Sequence, residues 1–196
     1  MKSICVFCGS SSGKSPAYEE AARATGQALA GAALRLVYGG GKVGLMGIVA
    51  DAVLAAGGEV TGVMPQALFE REIAHPGVSD MRVVGSMHER KETMAALADG
   101  FIALPGGAGT LEEIFEQWTW SQLGIHGKPC GFLNVNGYFD PLLGMIQRMV
   151  AEGFLAPAFA SMLAVDTNPN ALLARFRGYE PPARKWSMQG SAAVQA

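Results

Sequence analysis

Two carboxylates, Glu112 and Glu113, follow the glycine turn Pro105-Gly106-Gly107-Ala108-Gly109-Thr110, and two cations stand together in Met87-His88-Glu89-Arg90-Lys91. The turn comes after the apolar run Phe101-Ile102-Ala103-Leu104 and leads into the amphipathic stretch 111–123, so the order is strand, glycine turn, helix. Such a turn exposes backbone N–H groups at a helix N-terminus, where free donors and the positive end of the macrodipole attract phosphate. A pure phosphate cradle has no use for neighbouring acid, yet the spacing predicts Glu112 and Glu113 in the first turn of that helix. There they either partner the dipole or stand beside a bound anion. Arg90 and Lys91 open a second helix, where cations oppose the macrodipole. They are either solvated surface charge or compensated by a phosphorylated ligand or by Glu112 and Glu113.

Two further glycine segments invite comparison with nucleotide motifs. Gly9-Ser10-Ser11-Ser12-Gly13-Lys14-Ser15 resembles a Walker A loop, but three residues separate its glycines where that motif has four, and Cys8 stands where a glycine belongs. No convincing Walker B aspartate follows, although the serines, Ser10 among them, can still donate to a phosphate or a sugar. Gly39-Gly40-Gly41-Lys42-Val43-Gly44 matches G-x-G-x-x-G literally. The acidic residue about twenty positions on, Glu59, falls at the start of the next strand, whereas a ribose-gripping acid stands at that strand's end. Gly40 and Gly41 therefore point to a mononucleotide phosphate or ribose contact. Glu72, in the long loop 65–79, could fold over a site as part of a lid.

Strand patterns at 4–7, 34–38, 60–63, 81–84, 101–104, 131–135 and 162–165 position these residues. They alternate with helical patterns at 16–30, 45–56, 88–98, 110–123, 141–151 and 169–176. Alternation at this spacing predicts an α/β, Rossmann-like, doubly wound and mostly parallel sheet of about seven strands with helices on both faces. The glycine turns fall at the carboxyl edge of such a sheet, where ligands bind. Residues 1–179 read as a single nucleotide-binding catalytic domain, and 180–196, which carry Pro-Pro and end in Gln-Gly-Ser-Ala-Ala-Val-Gln-Ala, as a loosely held tail.

Hydrophobic residues make up 49% of the 196, charged residues 16%, and the 26 glycines suit a buried parallel sheet with close turns. A net charge of −2 without a basic block speaks against a nucleic-acid partner. No apolar stretch is long enough for a membrane span and the N-terminal one is too short for a signal peptide, so the expected location is cytoplasmic. Cys5, Cys8 and Cys130 read as reduced thiols. Cys5 lies inside a strand pattern, unlike the redox C-x-x-C that opens a helix. His75, His88 and His126 are isolated, and no metal is expected.

With its Met87–Lys91 segment and Pro105-Gly106-Gly107-Ala108-Gly109-Thr110-Leu111-Glu112-Glu113, the sequence closely resembles the Lonely Guy (LOG) family of cytokinin riboside 5′-monophosphate phosphoribohydrolases. The likeness extends through Cys8-Gly9-Ser10-Ser11, Tyr38-Gly39-Gly40-Gly41 with Gly44-Leu45-Met46-Gly47, the Trp120 to His126 stretch and Lys128-Pro129, over approximately residues 4–165. It implies a cofactor-free hydrolysis of the N-glycosidic bond of N6-modified adenosine monophosphates, giving free base and ribose 5-phosphate. Many bacterial members were labelled lysine decarboxylases, a reaction that needs a Schiff-base lysine and a pyridinium partner in a much larger scaffold. By motif position, Arg90 and Glu113 match the family's catalytic arginine and glutamate. Lys91, Gly106, Gly107, Gly109, Thr110 and Glu112 match its substrate-binding positions, and Glu72 and Thr119 two further ones. Ala108 departs from the tyrosine common in plant members, at a variable position that bears on base preference.

The resemblance also implies a homodimer, expected on helices 87–98 and 110–123 because Met94, Leu97, Trp118 and Trp120 offer more apolar surface than one sheet face needs. The alternatives are a non-catalytic nucleotide carrier or sensor on the same fold, and an AMP nucleosidase with no cytokinin role.

Overall fold

The computed structural model describes residues 1–70 and 73–182. Seven strands, β1 (Ser3–Phe7), β2 (Arg35–Tyr38), β3 (Val60–Pro65), β4 (Asp80–Val84), β5 (Phe101–Ala103), β6 (Cys130–Leu133) and β7 (Leu163–Asp166), form one sheet in the order β4-β3-β2-β1-β5-β6-β7. Every pairing is parallel, as in Cys5 opposite Val37 on one side and Phe101 on the other. The chain winds outward from β1 to β4 and then returns to lay β5 beside β1. That reversal splits the crossovers between β1 and β5, the place where open α/β sheets hold ligands.

Parallel strands need crossovers, and helices cover both faces, so the strands are buried on both sides. Ile4, Val6, Leu36 and Tyr38 pack with α1 (Pro16–Gly31), α2 (Gly44–Ala55) and α8 (Pro169–Arg177). Cys5, Phe7, Val37 and Phe101 face α4 (Met87–Leu97), α5 (Ala108–Leu123), α6 (Asp140–Ala151) and α7 (Pro157–Ala160). Alternation along β1 thus sends Cys5 to one face and Cys8 to the other, and both thiols are free and buried. Ser15 caps α1 by accepting from the Ala17 N–H ahead of Pro16, as the cap-then-proline order predicts.

Three expectations need correction. The segment 65–79 is not an unstructured loop. It begins with the short helix α3 (Gln66–Phe69) and is tied to the glycine turn after β2, where His75 N–H donates to the Gly40 carbonyl at 2.9 Å and Lys42 N–H to the Ile73 carbonyl at 3.0 Å. Helix α5 starts at Ala108 with Gly107 as its N-cap, not at Thr110, so no acidic residue lies in its first turn and Glu112 and Glu113 stand in the second. Met94 and Trp118 are core residues, 1% and 3% exposed, with the Trp118 Nε1–H donating to the Phe159 carbonyl at 3.0 Å. They contribute nothing to a surface patch. Glu72 and residues 183–196 of the predicted tail lie outside the described residues. Among those described, no helix is long and apolar enough to cross a membrane.

Candidate active site

Gly39, Gly41, Gly107 and the helix starts of α4 and α5 converge at the carboxyl ends of β1, β2 and β5, around a cavity of about 650 Å³. Of the residues singled out from sequence, Ser10, Gly41, Arg90, Gly107, Gly109, Thr110, Glu112 and Glu113 line it. Gly106 lies in an adjoining pocket of about 330 Å³ shared with the serine loop 10–12 and Tyr138. Gly40, buried with φ +78°, lies between the cavity-lining Gly39 and Gly41 and does not itself line the cavity. Thr119 is exposed, roughly three turns along α5, and lines neither space.

The cavity meets an unpaired helix N-terminus on one wall. The first N–H groups of a helix lack intrahelical partners, and α5 presents its own beside Gly107 with no side chain capping them. A Cβ on Gly107 would touch nothing within 4 Å, whereas one on Gly106 would lie 2.2 Å from Thr110 Oγ1 and 2.8 Å from Gly9 N. Gly106 is therefore glycine for internal packing, and Gly107 leaves open the space before the helix. Gly9 N–H also donates to the Pro105 carbonyl at 3.1 Å, which joins the loops after β1 and β5. Tyr138 O–H, which sequence reasoning passed over, donates to the Gly106 carbonyl at 2.6 Å and braces the turn from outside.

Arg90 from α4 and Glu113 from the second turn of α5 form a sheltered pair, with Arg90 Nη2 4.0 Å from Glu113 Oε1 and side-chain exposures of 12% and 14%. At that distance they attract without sharing a tight hydrogen bond. Burial pushes the Glu113 carboxyl up to about 7, and the Arg90 charge only partly opposes it. Arg90 Nε is buried without a partner among the described residues, so the guanidinium has donor capacity to spare. Its room comes from Gly39: a Cβ there would stand 1.8 Å from Arg90 Nη2. Gly39 was quoted in the G-x-G-x-x-G match but not chosen as a site residue, because nothing local reveals an arginine arriving from 51 positions later.

Lys91 points away from the cavity. Its ammonium is hydrogen-bonded by Glu112 and lies 3.0 Å from Glu116 Oε1, and these carboxylates raise its pKa despite burial. The compensation that two cations near a helix start require thus comes from α5: Glu113 faces Arg90, and Glu112 with Glu116 faces Lys91. Glu116 was missed, although its i+4 spacing from Glu112 places both on one helix face. Glu59 pairs with Arg35 at 2.6 Å at the amino edge of the sheet, far from any ribose position. Among the described residues no group of three or more His, Cys, Asp or Glu side chains could hold a metal ion.

A doubly wound parallel sheet with an anion-ready helix start and a buried Arg–Glu pair at its switch point defines a nucleotide-binding α/β protein equipped for charge stabilisation. A family model described as possible lysine decarboxylase matches residues 46–176. The chain is 51% identical over 180 residues to the cytokinin riboside 5′-monophosphate phosphoribohydrolase LOG7 of Arabidopsis thaliana, covering 92% of this chain and 83% of that one. It is 50% identical to the probable enzyme of the same name LOGL5 of Oryza sativa subsp. japonica, covering 91% and 73%. The chain belongs to the LOG family that these proteins and that family model describe. Among solved structures, the molybdenum cofactor binding protein of Rippkaea orientalis superposes with a TM-score of 0.67 at 20% identity, covering 91% of this chain and 97% of that one. The molybdenum cofactor carrier protein of Chlamydomonas reinhardtii does so with 0.67 at 20%, covering 90% and 98%. At that identity the likeness is one of fold.

Proposed function

We propose that the protein hydrolyses the N-glycosidic bond of N6-modified adenosine 5′-monophosphates, AMP being the simplest test substrate, to free base and ribose 5-phosphate. The observation that carries this reading is the sheltered Arg90–Glu113 pair lining the same cavity as the open N-terminus of α5. The 5′-phosphate sits on the N–H groups at Gly107 to Gly109 with Thr110 and Ser10 close by, which holds the anomeric carbon against Glu113. As the C–N bond breaks, its electron pair leaves with the base and positive charge builds on the ribose ring. The Glu113 carboxylate stabilises that charge and takes a proton from the attacking water, whose oxygen bonds to the anomeric carbon, while the departing base takes up a proton, so that one water is consumed in all. A carboxyl with a value near 7 is matched to proton transfer at neutral pH. Arg90 is too basic to be an ordinary proton donor; it orients Glu113 and uses its spare donors on the ribose, phosphate or purine. Neither Glu72 nor Thr119 is needed for this chemistry, and the match to family positions alone supports them as substrate contacts.

The same reading takes residues 1–179 as one catalytic domain of a cytoplasmic homodimer. The groove between α4 and α5, where Trp120 lies beside Ile125, 64% exposed, supports the dimer; sedimentation as a monomer at micromolar concentration would refute it. For the reaction, the protein is incubated with AMP, N6-isopentenyl-AMP and the corresponding nucleosides, and free base is quantified. Release from the monophosphates but not the nucleosides is expected. Release from none of them would leave the carrier or sensor reading standing.

A further inference from the structure

The glycine turn against which Arg90 lies is held by a second segment. Gly39 gives the guanidinium its room, and the residues after it run antiparallel to 73–75. His75 N–H donates to the Gly40 carbonyl at 2.9 Å, Lys42 N–H donates to the Ile73 carbonyl at 3.0 Å, and Ala74 stands opposite Gly41. Two backbone bonds outside the main sheet make a ladder too short to hold its place unaided. A side chain supplies the anchor. His75 is 8% exposed and uses both ring nitrogens: Nδ1 accepts from the Gly77 N–H at 3.1 Å, and Nε2 lies 3.0 Å from Asp51 Oδ1. An Nδ1 that accepts leaves the proton on Nε2, so the ring donates to the carboxylate. Asp51 belongs to α2, the helix into which the same glycine turn leads.

These contacts form a closed circuit. Asp51 on α2 holds His75, His75 holds the Gly40 carbonyl, and Gly40 adjoins the Gly39 backbone that seats Arg90. Neither His75 nor Asp51 lines the cavity, so neither touches substrate. The Asp51 side chain is 72% exposed, and a bond to so open a carboxylate adds little to global stability. Its effect is local: it removes freedom from a segment whose Ile73 does line the cavity and whose backbone is tied to the turn. We infer that His75 and Asp51 are positioning residues for the reaction: their side-chain hydrogen bond clips residues 73–78 to α2 and so fixes the glycine turn on which Arg90 rests. The inference rests on the N-glycosidase reading above, because what the clip positions is one member of the Arg90–Glu113 pair.

The test compares Asp51→Ala, Asp51→Asn, His75→Ala and the double variant of Asp51→Ala with His75→Ala, each checked for folding by thermal melts. Alanine suits the exposed helical position of Asp51, so that variant should fold even if His75→Ala does not. Measured are kcat and KM for base release from AMP, and Kd for AMP and for ribose 5-phosphate by calorimetry. Asp51→Ala should lower kcat about fivefold and His75→Ala about tenfold, while KM and Kd for AMP rise only about threefold. Ribose 5-phosphate, held at the start of α5, should bind unchanged. Asp51→Asn keeps the accepting oxygen and should restore most of kcat, and the double variant should be no worse than His75→Ala, since both changes remove one bond. Near-normal kcat in the folded single variants, losses that multiply in the double one, or equal weakening of AMP and ribose 5-phosphate overturns the inference while leaving base release in place. If the unaltered protein releases no base, the N-glycosidase reading fails. Kd for AMP then decides the clip alone: weaker in Asp51→Ala and restored in Asp51→Asn supports it, and equal values in all three refute it.

Discussion

Replacing Glu113 by Gln separates catalysis from mere packing, because the two roles predict changes of opposite sign in stability and activity. The substitution keeps size and hydrogen-bonding reach and removes the charge. Were Glu113 a dipole partner in a first helical turn, its loss would cost roughly 0.3–1 kcal/mol. It stands instead in the second turn, 14% exposed, with its carboxyl raised to about 7 by burial. A carboxyl whose folded value lies above its unfolded one binds more protons folded than unfolded between pH 4.5 and 7. Stability therefore falls as pH rises through that window, and the full cost is present above it. A displacement of this size corresponds to on the order of 3 kcal/mol at pH 8 and under about 1 kcal/mol at pH 5. Glu113→Gln should thus melt higher than the unaltered protein at pH 8, by about 6–12 °C, with the gain shrinking toward pH 5. Turnover should move the other way, kcat falling by about 10² or more with nucleotide affinity little changed, and the acid limb of the unaltered enzyme's pH–rate profile should report an apparent value near 7. Melts by calorimetry and base release by chromatography read both. A folded variant with near-normal base release, or one that melts lower at pH 8, refutes the assignment.

Three other substitutions probe the geometry. Gly39→Ala puts a methyl 1.8 Å from Arg90 Nη2, so kcat should fall by about 10²-fold in a protein whose circular dichroism is unchanged; near-normal kcat would mean that Arg90 tolerates displacement. Gly107→Val meets open space in the protein and should leave the melting temperature in place while raising KM for the monophosphate at least about tenfold, and an unaltered KM would move the phosphate elsewhere. Lys91→Met leaves Glu116, whose Oε2 already lacks a partner among the described residues, without its cation. A loss of about 1–3 kcal/mol in denaturant unfolding is expected, whereas a raised KM with stability intact would show that Lys91 binds substrate directly.

The fold was readable because its signals are periodic. Apolar runs such as Phe101 to Leu104 lead into glycine turns, every strand pattern but that at 60–63 is followed by a helical one, and parallel pairing follows from that alternation. Strand and helix bounds differ by a residue or two, and at α5 a cap decides the difference. Helix α5 begins at Ala108 because Gly107 in extended conformation can serve as its N-cap, a property of backbone torsion that the letters Gly-Ala-Gly-Thr do not disclose. The site was readable where a motif carries its own chemistry, as at Arg90 and Glu113. It was unreadable where the reason lies across the fold. Lys91 and Arg90 are neighbours in sequence, but their side chains leave α4 on different sides, and only the position of α5 decides that one meets Glu113 and the other Glu112 and Glu116. Trp118 and Met94 likewise looked like surplus apolar surface until the sheet face they cover was in place.

The shifted start of α5 also explains how one helix can serve both ends of a sugar phosphate. Glu113 stands six positions after Gly107, about 9 Å along a helix axis, and helical side chains lean back toward the N-terminus. The carboxylate therefore comes to rest a few ångströms short of that distance, on the scale that separates the 5′-phosphate from the anomeric carbon of the same ribose. Had the helix begun at Thr110, the acid would have crowded the anion it must tolerate. One turn further in, repulsion between carboxylate and phosphate weakens, while Arg90, held in place by the bare backbone of Gly39, stands close enough to moderate what remains. The N-terminus binds, the second turn reacts, and a rigid element fixes the distance between them.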